Sequence, residues 1–150
     1  MSANNRQVGG SHYAGAVQHW DMAYVVFGEG YFGGQITKYV SRWRKKNGVQ
    51  DLEKAAHFLD KLIEVRQRRS WCVRARMWLY DRKRASATRV RVCEAYLDAN
   101  SIIDDEYVII VFVADGCDES LLAAREILRD LILRQYTGSS EPTRAYVDQG

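Results

Sequence analysis

Residues 36–63 have the sequence ITKYVSRWRKKNGVQDLEKAAHFLDKLI, in which apolar residues recur at helical spacing on both sides of a short polar turn. Before the turn, these apolar side chains share one face and predict a helix over residues 35–46. The Asn47-Gly48 pair is a typical helix end. After it, Asp51 is the predicted N-cap of a second helix, over residues 52–68, because its side chain can accept from backbone N–H groups two or three residues on. The stretch therefore predicts an αα-hairpin.

Toward the N-terminus, the chain predicts one further helix and a turn. Residues 17–27 carry apolar side chains at the i, i+3, i+4 and i+7 positions of a helix. Glycines interrupt the chain at positions 28, 30, 33 and 34. Residues 1–11 are rich in Ser, Asn, Gln and Gly and predict a flexible start. The N-terminal half is therefore expected to be helical.

The second half of the chain has a different pattern. Residues 89–96, RVRVCEAY, alternate with period two and predict a strand. Residues 107–114, YVIIVFVA, are β-branched and apolar on both faces, which predicts a buried strand. Residues 119–136 predict a last helix, capped by Asp118 or Ser120. Residues 71–84 fit either an extension of the long helix or a strand.

Together these patterns predict an α+β fold in two parts. Residues 1–70 are expected to form a helical unit that contains the αα-hairpin. Residues 71–150 are expected to form a small strand-strand-helix extension, with residues 137–150 as a loose tail. Because short helices with apolar stripes often need a partner chain, a homo-oligomer is also expected.

The glycines of FGEGYFGG (27–34) match the spacing GxGxxG, yet the context does not support a dinucleotide fingerprint. That fingerprint follows a strand, whereas residues 17–27 predict a helix. Gly28 and Gly33 also have the spacing of a Walker A loop, but Gly34 and Gln35 stand where Lys and Ser or Thr are required. The glycines are therefore interpreted as a turn that begins the next helix.

A phosphate site near this turn remains a hypothesis on physical grounds. A helix that begins at Gln35 would offer free N–H groups and the positive end of its dipole to an anion. Lys38 and Arg42, at i and i+4, would share a face one turn later and could clamp a phosphate. The alternative is that both cations are solvated or pair with Asp51, Glu53 or Asp60.

Composition narrows the class of protein. No apolar run approaches the roughly 20 residues of a membrane span, and residues 1–13 lack the apolar core of a signal peptide, so we expect a cytoplasmic protein without membrane association. Cys72, Cys93 and Cys117 are far apart and predict free, mostly buried thiols rather than a zinc site.

The net charge of +3 is unevenly distributed. Residues 66–91 contain ten basic residues and one acid, whereas residues 94–130 contain ten acids and two arginines. This asymmetry indicates an anionic partner such as nucleic acid, or basic and acidic faces that meet in an oligomer. The alternative is a solvated basic face.

Three sequence elements resemble a known family. VGGSHY (8–13), Asp21 and GGQITKYVSRWRKKNGVQDLEKAAHFLDKLIE (33–64) resemble a small phage protein family, long catalogued as a domain of unknown function, that contains a phage nucleotide kinase. The similarity covers about residues 8–66. Its pattern falls on Gly9 or Gly10, His12, Tyr13, Asp21, Gly34, Lys38, Tyr39, Arg42, Lys46, Gly48, Asp51, Leu52, Lys54, Ala55 and Leu59. Gln35 and Phe58 stand where the family usually has Asn and Tyr, and residues 71–150 match no pattern of the family.

The resemblance implies phosphoryl transfer to a deoxynucleoside monophosphate, such as dTMP or dGMP, without a Walker A loop. ATP or another nucleoside triphosphate would be the donor, with Mg²⁺ left open, and the setting would be the cytoplasm of an infected host. The catalytic candidates are Lys38, Arg42, Asp21 and His12. The nucleotide-binding candidates are Tyr13, Gly34, Gln35, Tyr39, Lys46, Asp51 and Lys54, and no residue is assigned as a structural metal ligand.

The chemistry of these residues fits that reaction, although each has a plainer explanation. Phosphoryl transfer depends on positioning and charge neutralisation, which Lys38, Arg42 and Lys46 could supply. Asp21 or Asp51 could hold Mg²⁺ or orient the acceptor phosphate. An alternative function is non-catalytic binding of nucleotides or nucleic acid, acting on a host process, through the basic residues of 66–91 with Trp71, Trp78 and Tyr80 as stacking surfaces.

Overall fold

Residues 36–63 form the predicted helical hairpin. The computed structural model describes residues 19–68 and 87–138, with residues 87–90 described by their backbone alone. Its helices are α1 (His19–Phe27), α2 (Gly30–Arg42), a 3₁₀ turn (Trp43–Lys45), α3 (Val49–Gln67), α4 (Ala87–Ala99), α5 (Asp104–Asp115) and α6 (Asp118–Thr137). The helix predicted over residues 52–68 is confirmed, and α1 confirms the described part of the helix predicted over 17–27. The helix predicted over 35–46 is confirmed in part, because α2 begins at Gly30 and ends at Arg42 before the 3₁₀ turn.

The predicted α+β fold is wrong, because the described residues are helical and contain no strand. Helices α2 and α3 pack against each other, and α5 and α6 form a second hairpin. Helix α5 lies against α2 and α6 lies against α3, so the four helices form a bundle. The bundle encloses one hydrophobic core, whose fully buried members include Phe32, Ile36, Leu52, Leu59, Ile109, Leu121 and Leu128.

Residues 107–114, predicted as a buried strand, lie in α5. The buried residues of α5 are Glu106, Ile109, Ile110 and Val113, which is helical spacing. Three acids occupy its first turn, where they suit the helix dipole, and Gly116 ends it with φ +72 in the left-handed region. These helix signals and the packing against α2 and α6 outweigh the β propensity of the valines and isoleucines.

Residues 89–96, predicted as the other strand, lie in α4. Their alternation does not mark a buried face, because Val92 is 65% exposed. The side chains that turn inward are Leu97, which is fully buried, and Cys93, which is half-buried. These two are four residues apart, which is the helical rather than the strand period.

Both predicted N-caps are wrong. Helix α3 begins at Val49 with Gly48 at its N-cap, so Asp51 lies inside the first turn. Helix α6 begins at Asp118, and its cap is Cys117, whose Sγ accepts from the backbone N–H of Ser120 at 3.3 Å. Cys93 and Cys117 are free, half-buried thiols, and burial raises the pKa of both.

Arg66, near the end of α3, contacts residues at the starts of α2 and α6. Its guanidinium donates to Glu29 beside the start of α2, with distances of 3.1 and 2.7 Å, and to Asp118 at the start of α6, at 3.1 Å. It also donates to the backbone oxygen of Gly116. Arg66, the first basic residue of the 66–91 segment, is therefore engaged within the fold.

Several predictions concern parts of the chain that the structure does not describe. These are the flexible start, the segment over residues 71–84, Cys72, and the tail beyond residue 138. Among the helices of the described residues, none has the length and apolar character needed to cross a membrane. The division into units 1–70 and 71–150 stays a prediction, although helices from both sides of residue 70 share the core.

Candidate functional site

Five of the predicted site residues lie together where the end of α2 meets the start of α3. Lys38, Tyr39 and Arg42 belong to the last turns of α2, and Asp51 and Lys54 belong to the first turns of α3. We call these five residues the α2–α3 cluster. The tight connection brings them together, since the backbone N–H groups of Lys46 and Gly48 both donate to the oxygen of Trp43.

Asp51 is the buried centre of the cluster. Its side chain is fully buried and accepts from Arg42 through Nε at 2.8 Å and Nη2 at 3.3 Å. Asn47 Nδ2 donates to Asp51 Oδ1 at 3.0 Å, and Lys54 Nζ lies 3.6 Å from the same oxygen. Asp51 therefore positions Arg42 and does not cap the helix. For Arg42, this is the alternative in which the cation pairs with Asp51.

The ionisation of this pair is fixed by its contacts. Burial by itself would raise the pKa of Asp51, but the hydrogen bonds from Arg42 and Asn47 and the charges of Arg42 and Lys54 outweigh it, so the pKa lies below its usual value. The hydrogen bond to Asp51 raises the pKa of Arg42. Both groups are therefore charged across the physiological pH range.

Tyr39 places an aromatic ring among the cations. Its ring stacks on Phe58, with centroids 5.9 Å apart and planes at 15°. The guanidinium carbon of Arg42 lies 4.7 Å from the ring centroid, and Lys38 Nζ and Lys54 Nζ lie at 5.6 and 5.8 Å. A ring face attracts cations through its quadrupole, so Tyr39 helps to gather three positive charges at one place.

The cations of the cluster reach solvent, whereas its carboxylate does not. Lys38 is exposed, and the side chains of Arg42 and Lys54 are 28% and 27% exposed, whereas Asp51 is fully buried. Three cations thus reach the surface above one buried carboxylate. This arrangement can bind an anionic group such as a phosphate.

The expected phosphate site at a helix start near Gln35 is wrong. Helix α2 begins at Gly30, so Gly33, Gly34 and Gln35 lie inside it and their N–H groups fall within the helix. Gly28, with φ +69, is the glycine that the turn requires. A side chain at Gly34 would meet no atom within 4 Å, and the nucleotide-binding roles of Gly34 and Gln35 stay predictions.

The other candidates lie elsewhere. Asp21, on α1, lies 3.4 Å from Nζ of Lys61, a buried lysine two turns beyond Lys54 on α3. Lys46 is exposed in the connection before α3. His12 and Tyr13 lie outside the described residues, so their predicted roles stay predictions.

The two carboxylates with predicted Mg²⁺ roles are both engaged by cations in the structure, and these roles stay predictions. Asp51 is fully buried, and its two oxygens are already engaged by Arg42, Asn47 and Lys54. Asp21 is paired with Lys61. Within residues 19–68 and 87–138, no group of three or more His, Cys, Asp and Glu side chains could hold a metal ion. We therefore derive no step of a reaction through a metal.

Two contributors to the cluster were missed in the sequence. Asn47 was interpreted only as a helix end, although its Nδ2 donates to Asp51 from the connection before α3. Phe58 supports the ring of Tyr39 and lies four residues after Lys54, on the same face of α3. Helical spacing from Lys54 was the signal that could have identified Phe58, whereas the contact of Asn47 depends on the turn at Gly48 and has no such signal.

Comparison with known proteins matches part of the chain to a family model. Residues 9–60 match the model of a family described as a protein of unknown function (DUF3310). No significant match to the chain is found among curated proteins or among solved structures. The resemblance predicted over about residues 8–66 is thus confirmed as similarity to a family of unknown function, and the matched range includes the whole α2–α3 cluster.

Proposed function

We propose that this chain is a phage nucleotide kinase-like protein, which transfers a phosphoryl group to a deoxynucleoside monophosphate such as dTMP or dGMP without a Walker A loop. The observation that carries the proposal is the α2–α3 cluster, in which three cations surround Tyr39 above the buried Asp51. The donor would be ATP or another nucleoside triphosphate, in the cytoplasm of an infected host cell.

Arg42 is the residue of the cluster whose side chain is already oriented to bind a phosphate. Its Nε and Nη2 are held by Asp51, so the guanidinium plane is already oriented before a ligand arrives. An arginine that is oriented in advance loses less conformational freedom on binding than a free one. Lys38 and Lys54 would add mobile ammonium donors around the same anion.

These cations fit what phosphoryl transfer demands of a protein. The reaction depends mainly on holding donor and acceptor in line and on neutralising charge on the transferred group. Lys38, Arg42 and Lys54 would bind and neutralise phosphate oxygens. Asp51 would act as a positioning residue for Arg42, because its buried oxygens are engaged by other side chains.

A non-catalytic nucleotide-binding protein that acts on a host process is the second candidate. Two ion pairs favour it, that of Asp51 with Arg42 and that of Asp21 with Lys61. Because both carboxylates are engaged by cations, neither is placed to take a proton from the nucleotide that would receive the phosphoryl group. If the ligand were nucleic acid, one cation of the basic segment would not contribute to binding, because Arg66 binds Glu29 and Asp118.

A homo-oligomer also stays a proposal, although its original reason is weaker. The apolar faces of α2 and α3 are covered by α5 and α6 of the same chain. A second copy is therefore not needed to bury those two faces.

The test is an assay of the purified full chain with γ-labelled ATP and each common deoxynucleoside monophosphate in turn. We expect label in dTDP or dGDP, and we expect Arg42→Ala to lower kcat/KM by roughly 100-fold, as loss of one donor to a developing charge does in other enzymes. Binding of monophosphates without labelled product from any of them would leave the non-catalytic candidate. Neither binding nor product would overturn both.

A further inference from the structure

We infer that the α2–α3 cluster takes the dianion of a phosphate monoester, and that the second ionisation of the ligand, not of the protein, sets the pH dependence of binding. The inference rests on the proposed function and specifies which ionic form of the substrate this site accepts. It also separates a mononucleotide, which ends in a monoester, from nucleic acid, whose backbone is made of diesters.

The net charge of the cluster matches that of a phosphate monoester dianion. Lys38, Arg42 and Lys54 carry three positive charges that reach solvent, and Asp51 carries one negative charge below them. The sum is two positive charges. A phosphate monoester carries close to two negative charges at pH 7, whereas a diester carries one, so only the monoester dianion neutralises the cluster.

The cations of the cluster keep hydrogen-bond donors for a ligand. The two hydrogen bonds from Arg42 to Asp51 use Nε and Nη2, and the structure shows no partner for Nη1 among the described residues. Each lysine ammonium has three donors, and Lys54 shares its charge with a single carboxylate oxygen of Asp51 at 3.6 Å. Terminal phosphate has three acceptor oxygens, and esterification removes one of them.

Arg42 and Asp51 both stay charged in the folded chain. Contacts with each other keep Arg42 protonated and Asp51 ionised, since the pKa of Arg42 is raised and that of Asp51 is lowered. Helix α2 adds Lys38 and Tyr39, and helix α3 adds Lys54 and, one turn further, His57. The imidazole of His57 packs against the ring of Trp20, with centroids 4.6 Å apart.

The second ionisation of a phosphate monoester falls near pH 6, within the range where histidine also titrates. His19 and His57 are the histidines of the described residues, and His12 lies outside them. Nδ1 of His19 lies 3.2 Å from the hydroxyl of Tyr31, which is at the start of α2, whereas Arg42 is at the end of that helix. A test must therefore distinguish titration of the ligand from titration of a histidine.

The test measures binding of dTMP and of its 5′-methyl phosphodiester to the full chain by calorimetry at pH 5 and pH 8. We expect dTMP to bind about fivefold tighter at pH 8 than at pH 5, as for one added charge beside an exposed cation, with the diester unchanged. Diester affinity within twofold of dTMP at pH 8 would overturn the inference while leaving nucleotide binding intact. Failure of dTMP, of dGMP and of their 5′-methyl diesters to bind would overturn the proposed function as well.

Two controls identify the titrating group. The thiophosphate analogue of dTMP has a lower second pKa, so its binding transition should move to lower pH; a transition at the same pH for both ligands would assign it to the protein and overturn the inference. Lys54→Gln should reduce the preference for dTMP over the diester. Lys45→Gln, at an exposed lysine of the 3₁₀ turn outside the cluster, should keep it.

Discussion

Arg42 donates from Nε to Oδ2 of Asp51 over 2.8 Å, and this contact joins the last turn of α2 to the first turn of α3. Asp51 is fully buried while the Arg42 side chain is 28% exposed. The pair therefore stabilises the hairpin on its inner side and presents part of a guanidinium on its outer side. Stability and the proposed phosphate binding are linked through one carboxylate.

Asp51→Asn should change how stability depends on pH. The pKa of Asp51 is lowered by folding, so its contribution is present above the unfolded pKa of about 4 and is lost as pH falls through the folded pKa. The difference in free energy of unfolding between the native chain and Asp51→Asn should thus be larger at pH 6 than at pH 3. Urea unfolding at both pH values measures it, and an equal difference would show that the Asp51 charge is not stabilised by folding.

Arg66→Ala should destabilise the fold by roughly 3 kcal/mol, because it leaves Glu29 and Asp118 without their shared guanidinium. Arg66→Lys should restore little, since one ammonium cannot reproduce the fork of donors. The matched control is Arg68→Ala, at a 68% exposed arginine that pairs with Glu64 one turn earlier, and should cost about 0.5 kcal/mol or less. Equal losses from the two alanine variants in urea unfolding would refute the role given to Arg66.

Cys117 offers a test of the α6 cap. Its thiol accepts from the backbone N–H of Ser120, and a hydroxyl accepts such a bond better than a thiol. Cys117→Ser should therefore keep or raise the melting temperature, whereas Cys117→Ala should cost about 1 kcal/mol. A serine variant as unstable as the alanine variant would mean that the thiol contributes by packing alone.

Ile109→Ala tests the hydrophobic core of the bundle. Ile109 is fully buried where α5 joins the core, so its truncation should cost about 2–5 kcal/mol. Ile103→Ala, at a 62% exposed residue just before α5, should be nearly neutral. Small losses from both variants would place Ile109 outside the core.

The hairpin could be predicted from sequence because α2 and α3 each carry a long, regular apolar stripe. The strands could not be excluded, since a short apolar run such as residues 107–114 does not separate a buried helix from a buried strand. The predicted N-caps of α3 and α6 are wrong because Asp51 and Ser120, both common capping residues, here have other partners.

The candidate site was predictable only in part. Lys38 and Arg42 are one turn apart in one helix, so their shared face follows from spacing alone. In the sequence, Asp51 is one of three possible partners of Arg42. Only the packing of α2 against α3 shows that Asp51 is the partner. The contacts of Arg66 join residues 37 and 52 positions apart, a separation over which local pattern carries no information.

The central claim is that the α2–α3 cluster performs phosphoryl transfer to a nucleotide. The most direct measurement is the rate of labelled phosphate transfer from ATP to dTMP and dGMP by Lys38→Ala and Lys45→Ala, two exposed lysines truncated in the same way. The account predicts that Lys38→Ala loses at least about tenfold in kcat/KM while Lys45→Ala keeps the native rate and both keep the native melting temperature. Equal rates for the two variants, or no transfer by the native chain, would contradict it.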